Sequence, residues 1–150
     1  MYPARYHNAV FACDWSRGRI LAIKTKPHGA TYKATSEVFV EGRPLNVTDI
    51  AVGPDGWLYL THGRHGYKIQ TKEGPVLEGL ASRIWRCRVD GTGLERVAGG
   101  GFDNPVELTF LPSGEMMNSE VICAMPEMRA ATRAAHLGAH HSVRTIDLGV

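Results

Sequence analysis

Asn46-Val47-Thr48-Asp49-Ile50-Ala51-Val52-Gly53-Pro54-Asp55-Gly56 is answered 58 residues later by Asn104-Pro105-Val106-Glu107-Leu108-Thr109-Phe110-Leu111-Pro112-Ser113-Gly114. An asparagine, an acid, two apolar positions, a proline and a glycine recur in register. Arg19-Ile20-Leu21-Ala22-Ile23-Lys24 has a second echo, Arg83-Ile84-Trp85-Arg86-Cys87-Arg88, 64 residues on. Offsets that differ by a few residues are what variable loops between fixed strands produce. One unit with a period of about 60 residues is therefore used repeatedly.

Working outward, period-2 alternation marks the strands of that unit. Residues 49–52 run into Gly53-Pro54-Asp55-Gly56, where proline pre-sets φ at the second position of a type I turn and glycine closes the fourth. Trp57-Leu58-Tyr59-Leu60-Thr61 runs back, rich in residues that suit a pleated surface. After a long loop, residues 83–89 put Trp85, Cys87 and Val89 on one face and Arg86 and Arg88 on the other; Asp90-Gly91-Thr92-Gly93 turns the chain into residues 94–98. That is a four-stranded antiparallel meander. Residues 9–13, 19–24 and 36–40 match the last three strands of a preceding unit, and residues 106–111 and 115–117 begin a following one.

A repeated meander with a glycine turn at a fixed place predicts an all-β chain, a partial β-propeller of about two and a half four-stranded antiparallel blades. Its parts are a partial blade at 1–45, a complete blade at 46–99, the start of a third at 100–117 and a tail of uncertain origin at 118–150. A plain β-sandwich is the alternative, although it does not require the 58-residue echo. The tail departs from the pattern, because residues 124–141 are rich in Ala, Arg and His, and residues 128–137 combine helix propensity with a thin apolar stripe. It reads as a non-propeller, helical or out-of-frame end.

With 17 basic and 15 acidic residues the chain has a net charge of +2, and no basic run interleaved with aromatics marks a nucleic-acid partner. Cys13, Cys87 and Cys123 form no CxxC or CxxCH, which excludes the common zinc, redox and haem-attachment motifs; Cys87 reads as a buried small hydrophobe. No apolar run is long enough for a transmembrane segment. Met1-Tyr2-Pro3-Ala4-Arg5 lacks the pattern of a signal peptide, and the chain enters a strand so early that it reads as truncated.

The strand starts and the loop after each second strand open on one end of a meander blade. Asn46, Asp49, His62, Arg64, His65, Asp103, Asn104 and Glu107 are thus the candidate ligand-binding face. Asp49 and Glu107 have a structural alternative as acceptors for backbone N–H groups of the neighbouring loop, since site residues rarely repeat from unit to unit. His62-Gly63-Arg64-His65-Gly66 offers two imidazoles, but a glycine-bracketed polar stretch reads first as a loop, and no metal site is assigned. His136 and His140 have helical spacing with His141 adjacent, yet no HExxH glutamate accompanies them. A GxSxG nucleophile, a P-loop and a GxGxxG are all absent from the sequence.

Tyr6-His7-Asn8-Ala9-Val10-Phe11-Ala12-Cys13-Asp14-Trp15-Ser16-Arg17-Gly18-Arg19-Ile20, the run from Leu45 through Gly53-Pro54-Asp55-Gly56-Trp57-Leu58-Tyr59, and Asp103-Asn104-Pro105-Val106-Glu107 carry a family likeness. Residues 6–117 resemble the propeller region of bacterial membrane-bound dehydrogenases of the glucose/sorbosone dehydrogenase-like kind. The resemblance implies an oxidoreductase module that takes a carbohydrate or polyol, uses pyrroloquinoline quinone and calcium, and has a cytochrome c domain as partner in an exported, periplasmic parent. It also implies a histidine where this chain has Leu45-Asn46, an arginine where it has Asp103, and a calcium-holding acid where it has Arg64. Of the cofactor-contacting positions Asn104 is retained. The catalytic residues stay unassigned and the segment is not expected to turn over alone; the alternative is a non-catalytic propeller that binds carbohydrate or protein. With open blade faces and strand edges, the product is expected to be marginally stable and aggregation-prone. A sharp cooperative melt of a soluble monomer in calorimetry would contradict that expectation.

Overall fold

The computed structural model describes residues 4–99, 102–122 and 140–146. After a 3-10 turn at Ala4–Tyr6 come β1 (Ala9–Asp14), a second 3-10 turn at Trp15–Arg17, β2 (Arg19–His28) and β3 (Thr31–Val52). There follow β4 (Leu58–Gln70), β5 (Val76–Gly79), β6 (Arg83–Cys87), β7 (Glu95–Gly99), β8 (Pro105–Phe110), β9 (Met116–Ile122) and β10 (His140–Ile146). Every pairing is antiparallel. The all-β character that alternation predicts is therefore present. The sheet does not close on itself, and its hydrogen-bonded order is β1-β2-β3-β4-β6-β7 with β5 added to β4, beside a separate three-stranded sheet β8-β9-β10.

The long strand β3 serves two neighbours. Residues 31–41 pair with β2, whereas residues 42–52 pair with β4 across a series of register shifts. Such irregularities bend a strand. The large sheet thus divides into a first leaf (β1, β2 and the start of β3) and a middle leaf (the end of β3, β4, β6 and β7). Their faces meet in a core of Ile20, Leu45, Val47, Leu60, Tyr67, Ile69 and Trp85, against which Phe11, Cys13 and Phe39 pack. On the other side of the middle leaf, Tyr59 and Ile84 meet Leu108 and Met116 of the third sheet. The middle leaf is thus buried on both faces, and Cys87 within it is fully buried as expected.

The sequence repeat is also a repeat of hydrogen-bond register. Val52↔Leu58, Ala51↔Tyr59, Ile50↔Leu60, Asp49↔Thr61 and Val47↔His62 reappear as Phe110↔Met116, Thr109↔Met117, Leu108↔Asn118, Glu107↔Ser119 and Pro105↔Glu120. The irregularity falls at the same step in both. The turns repeat as well: Gly53 N–H donates to Trp57 O and Gly56 N–H to Gly53 O, while Leu111 N–H donates to Glu115 O and Gly114 N–H to Leu111 O. Both turns close on a left-handed glycine, Gly56 at φ 78° and Gly114 at φ 93°, the conformation that ends a type I turn in a three-residue hairpin loop. The bulge between Ile20 and Leu21, opposite Val40 and Val38, recurs between Ile84 and Trp85, opposite Ala98 and Arg96.

Two expectations are corrected. His62-Gly63-Arg64-His65-Gly66 is not a loop but the middle of β4, held there because Leu45 and Gly42 pair with Tyr67 and Ile69 and because β5 pairs with the far end. Nor does strand order stop at Met117: residues 118–122 complete β9, and β10 pairs with it from His140↔Ile122 to Ile146↔Met116. His140 and His141 accordingly lie in a strand, whereas His136 and the helix-prone stretch 128–137 lie outside the described residues. Among the described residues no helix is long and apolar enough to cross a membrane.

The Asp49 carboxylate ties the middle leaf to the third sheet. Asp49 Oδ2 accepts the Leu108 N–H at 2.7 Å, an N–H of strand β8 and not of a loop. Removing the acceptor strands a partly buried N–H, so Asp49→Ala is expected to cost about 1–3 kcal/mol in urea unfolding. Asp49→Asn keeps a carbonyl oxygen and is expected to lose much less; equal losses in the two variants would disprove the bond's role.

Candidate functional site

The candidate residues separate into a surface cluster and a buried set. Asn46 and Asn104, equivalent positions of the repeat, flank one strand: a Cβ built on Gly63 would lie 2.5 Å from Asn104 Oδ1 and 3.7 Å from Asn46 Cβ. A side chain at residue 63 would displace the Asn104 amide oxygen while lying in ordinary contact with Asn46, so the glycine in β4 marks a close approach between units. Asn46 Nδ2 donates to the Trp15 carbonyl at 3.1 Å, and the Asn104 carbonyl accepts Val121 N–H at 2.9 Å. Arg64 Nη1 stands 3.7 Å from Asp103 Oδ1, and Ser82 Oγ donates to the Asp103 carbonyl at 2.5 Å.

His65 is exposed and meets the Trp15 ring edge-on at 6.4 Å between centroids. Trp15 itself is 49% exposed in the short turn between β1 and β2. Trp15, Asn46, His65, Arg64, Asp103 and Asn104 thereby share one end of the three sheets. This end offers an aromatic surface, two amides and a charge pair to a ligand. Alternation and repeats gave no sign of Trp15, which the sequence shows only as part of a turn. A tryptophan in a polar turn, with no strand to pack it, is the signal that could have found it.

Three candidates do not join this cluster. Asp49 lies between the sheets on the Leu108 N–H; burial raises its pKa above the ordinary carboxylate value, the N–H groups of Leu108 and Ile50 oppose that, and the Glu107 charge adds to it. Glu107 is exposed, opposite Ser119 in the register of the third sheet. His62 is fully buried, its Nδ1 at 3.0 Å from the Gly63 carbonyl and its ring stacked on Trp85 and edge-on to Tyr67. His62 is thus enclosed in the core, whereas His65 is exposed beside Trp15. Among the described residues no group of three or more His, Cys, Asp or Glu side chains is placed to hold a metal ion. Burial pushes the Cys13 and Cys87 thiols up to about 11 and about 12, which keeps both protonated at neutral pH.

The groups that the family resemblance implies do not fit these residues. Leu45, in the place of the histidine, is 2% exposed and packed in the core. Arg64 and Asp103 carry the reverse of the implied charges and engage each other, so a guanidinium occupies the place of the calcium-holding acid. No protein-family model and no curated protein matches the chain.

The buried imidazole gives a pH test. Burial, the main cause, lowers the His62 pKa from 6.5 to about 4; the Gly63 hydrogen bond raises it and the Arg83 charge lowers it further. The unfolded chain takes up a proton below pH 6.5 that the folded chain refuses until about pH 4, so stability is full above 6.5 and falls through that window. The gap corresponds to roughly 3 kcal/mol. Asp49, whose pKa burial raises, contributes in the opposite sense, but it is present with and without the histidine. His62→Phe, which keeps a ring against Trp85, is expected to remove most of the loss between pH 6.5 and 4.5 in urea melts; an unchanged slope would refute the assignment.

Proposed function

We propose that this chain is a run of β-propeller blades of the glucose/sorbosone dehydrogenase-like kind that acts as a non-catalytic recognition scaffold. The repeated register and turns, and a middle leaf packed on both faces by its neighbours, support the propeller reading. The ligand end supports the recognition reading. Its carrying observation is the exposed Trp15 ring beside Asn46 and His65, with the Arg64–Asp103 pair and Asn104 farther along the same end. A flat apolar ring next to amides and paired charges suits a carbohydrate or polyol, whose C–H faces stack while its hydroxyls bond.

Tryptophan fluorescence titrated with oligosaccharides and polyols tests this. Saturable quenching is expected, with an affinity about tenfold weaker in Trp15→Ala, equivalent to about 1.4 kcal/mol. Identical behaviour of the wild type and Trp15→Ala would rule out this end as the site.

The competing reading, an oxidoreductase module, rests on the resemblance across residues 6–117. In that reading a parent with a cytochrome c partner oxidises the sugar. Dye reduction with added pyrroloquinoline quinone and calcium separates the two. The scaffold reading predicts no turnover with aldoses or polyols, and measurable turnover would replace it.

A further inference from the structure

The two outward faces of the molecule correspond to the two sides of an interface that it already forms twice. On the first leaf, Phe11, Cys13, Ile20 and Ala22 point toward the middle leaf, so the pleat turns Val10, Ala12, Leu21, Ile23 and Val38 outward. Val10 is 62% and Val38 49% exposed. The hydrogen-bond registers of β1–β2 and β4–β6 align Val10 with Leu58, Ala12 with Leu60, Leu21 with Trp85 and Ile23 with Cys87. Those four middle-leaf residues are all buried, and Leu60 and Trp85 pack into the core shared with the first leaf. The outer face of the first leaf therefore has the same place in its repeat as a face that another sheet covers.

Among the described residues, no other sheet covers the opposite side of the third sheet. Its inner face packs on the middle leaf through Leu108 and Met116, which leaves Thr109, Met117 and Ser119 outward, with Glu107 at the rim. These correspond at the 58-residue offset to Ala51, Tyr59, Thr61 and Asp49, the middle-leaf residues turned toward the third sheet. One end of the molecule thus presents the leading side of the sheet-on-sheet contact and the other its trailing side.

We propose that the outer face of the third sheet docks on the outer face of the first leaf of a second copy of this chain, continuing the contact made twice within one copy. The contact is heterologous: it closes into a ring if the rotation allows and extends into a chain if it does not. The proposal rests on the register repeat and is independent of any ligand.

The test uses the full chain. Light scattering after size exclusion, over a hundredfold range of concentration, is expected to show association that Val10→Lys weakens at least tenfold. Leu80→Lys changes an apolar residue that is 91% exposed and lies outside both faces, and it is expected to associate like the wild type. Met117→Lys, on the opposing face, repeats the test should Val10→Lys misfold. In a mixture of isotopically light and heavy chains carrying a photo-crosslinking phenylalanine at residue 38, crosslinks between light and heavy chains are expected within residues 105–117. A monomer at every concentration with a β-rich circular dichroism spectrum would overturn the docking while leaving the repeat standing. Crosslinks confined to other segments would overturn it too.

Discussion

The middle leaf cannot exist alone. Its strands carry apolar residues on both faces, Leu60 and Trp85 toward one neighbour and Tyr59 and Ile84 toward the other. A sheet of this composition loses its driving force to form as soon as either neighbour is removed, because burial on both sides is what offsets the entropy of ordering it. The first leaf and the third sheet are thus conditions for the middle leaf, and the positions of Asn46, Gly63 and Asn104 follow from that stacking.

This stacking decides which polar residues are available for binding. A carboxylate at the second step of the repeat, Asp49, is drawn into the joint and used on a backbone N–H. A histidine four residues into β4, His62, is turned into the core, where an imidazole persists as a neutral ring. What remains at the surface is the rim where strands begin and turns end. Arg64 and Asp103 stand 3.7 Å apart there and partly offset each other's charge.

Much of this was legible in the residues. The Gly-Pro-Asp-Gly turn, the alternation of 83–89 and the 58-residue echo fix which strands pair, because turn chemistry and side-chain period act locally. The acceptor role of Asp49 was open to inference for the same reason: whatever recurs in every unit serves the unit. Local rules fail where pairing is imposed from a distance. His62 to Gly66 has the composition of a loop, yet it is strand because Gly42 and Leu45 supply its partners from the far end of β3. β10 lies beyond a stretch with no strand signal, and its partner, β9, is set by register and not by composition. Exposure, which makes Trp15 a candidate contact, is a property of the assembled sheets, and the chain signals it only through the tryptophan's place in a polar turn.

The double membership of β3 has a consequence for how the molecule comes apart. Its first half belongs to one leaf and its second half to the next, with one unbroken backbone between them. The unit of the repeat is therefore not the unit of unfolding: peeling the first leaf away pulls directly on the strand that begins the middle one. In an array of sheets joined only by loops, an end unit can fray while its neighbour holds. Here the seam runs through a strand, and disturbance at one end is transmitted along the chain itself.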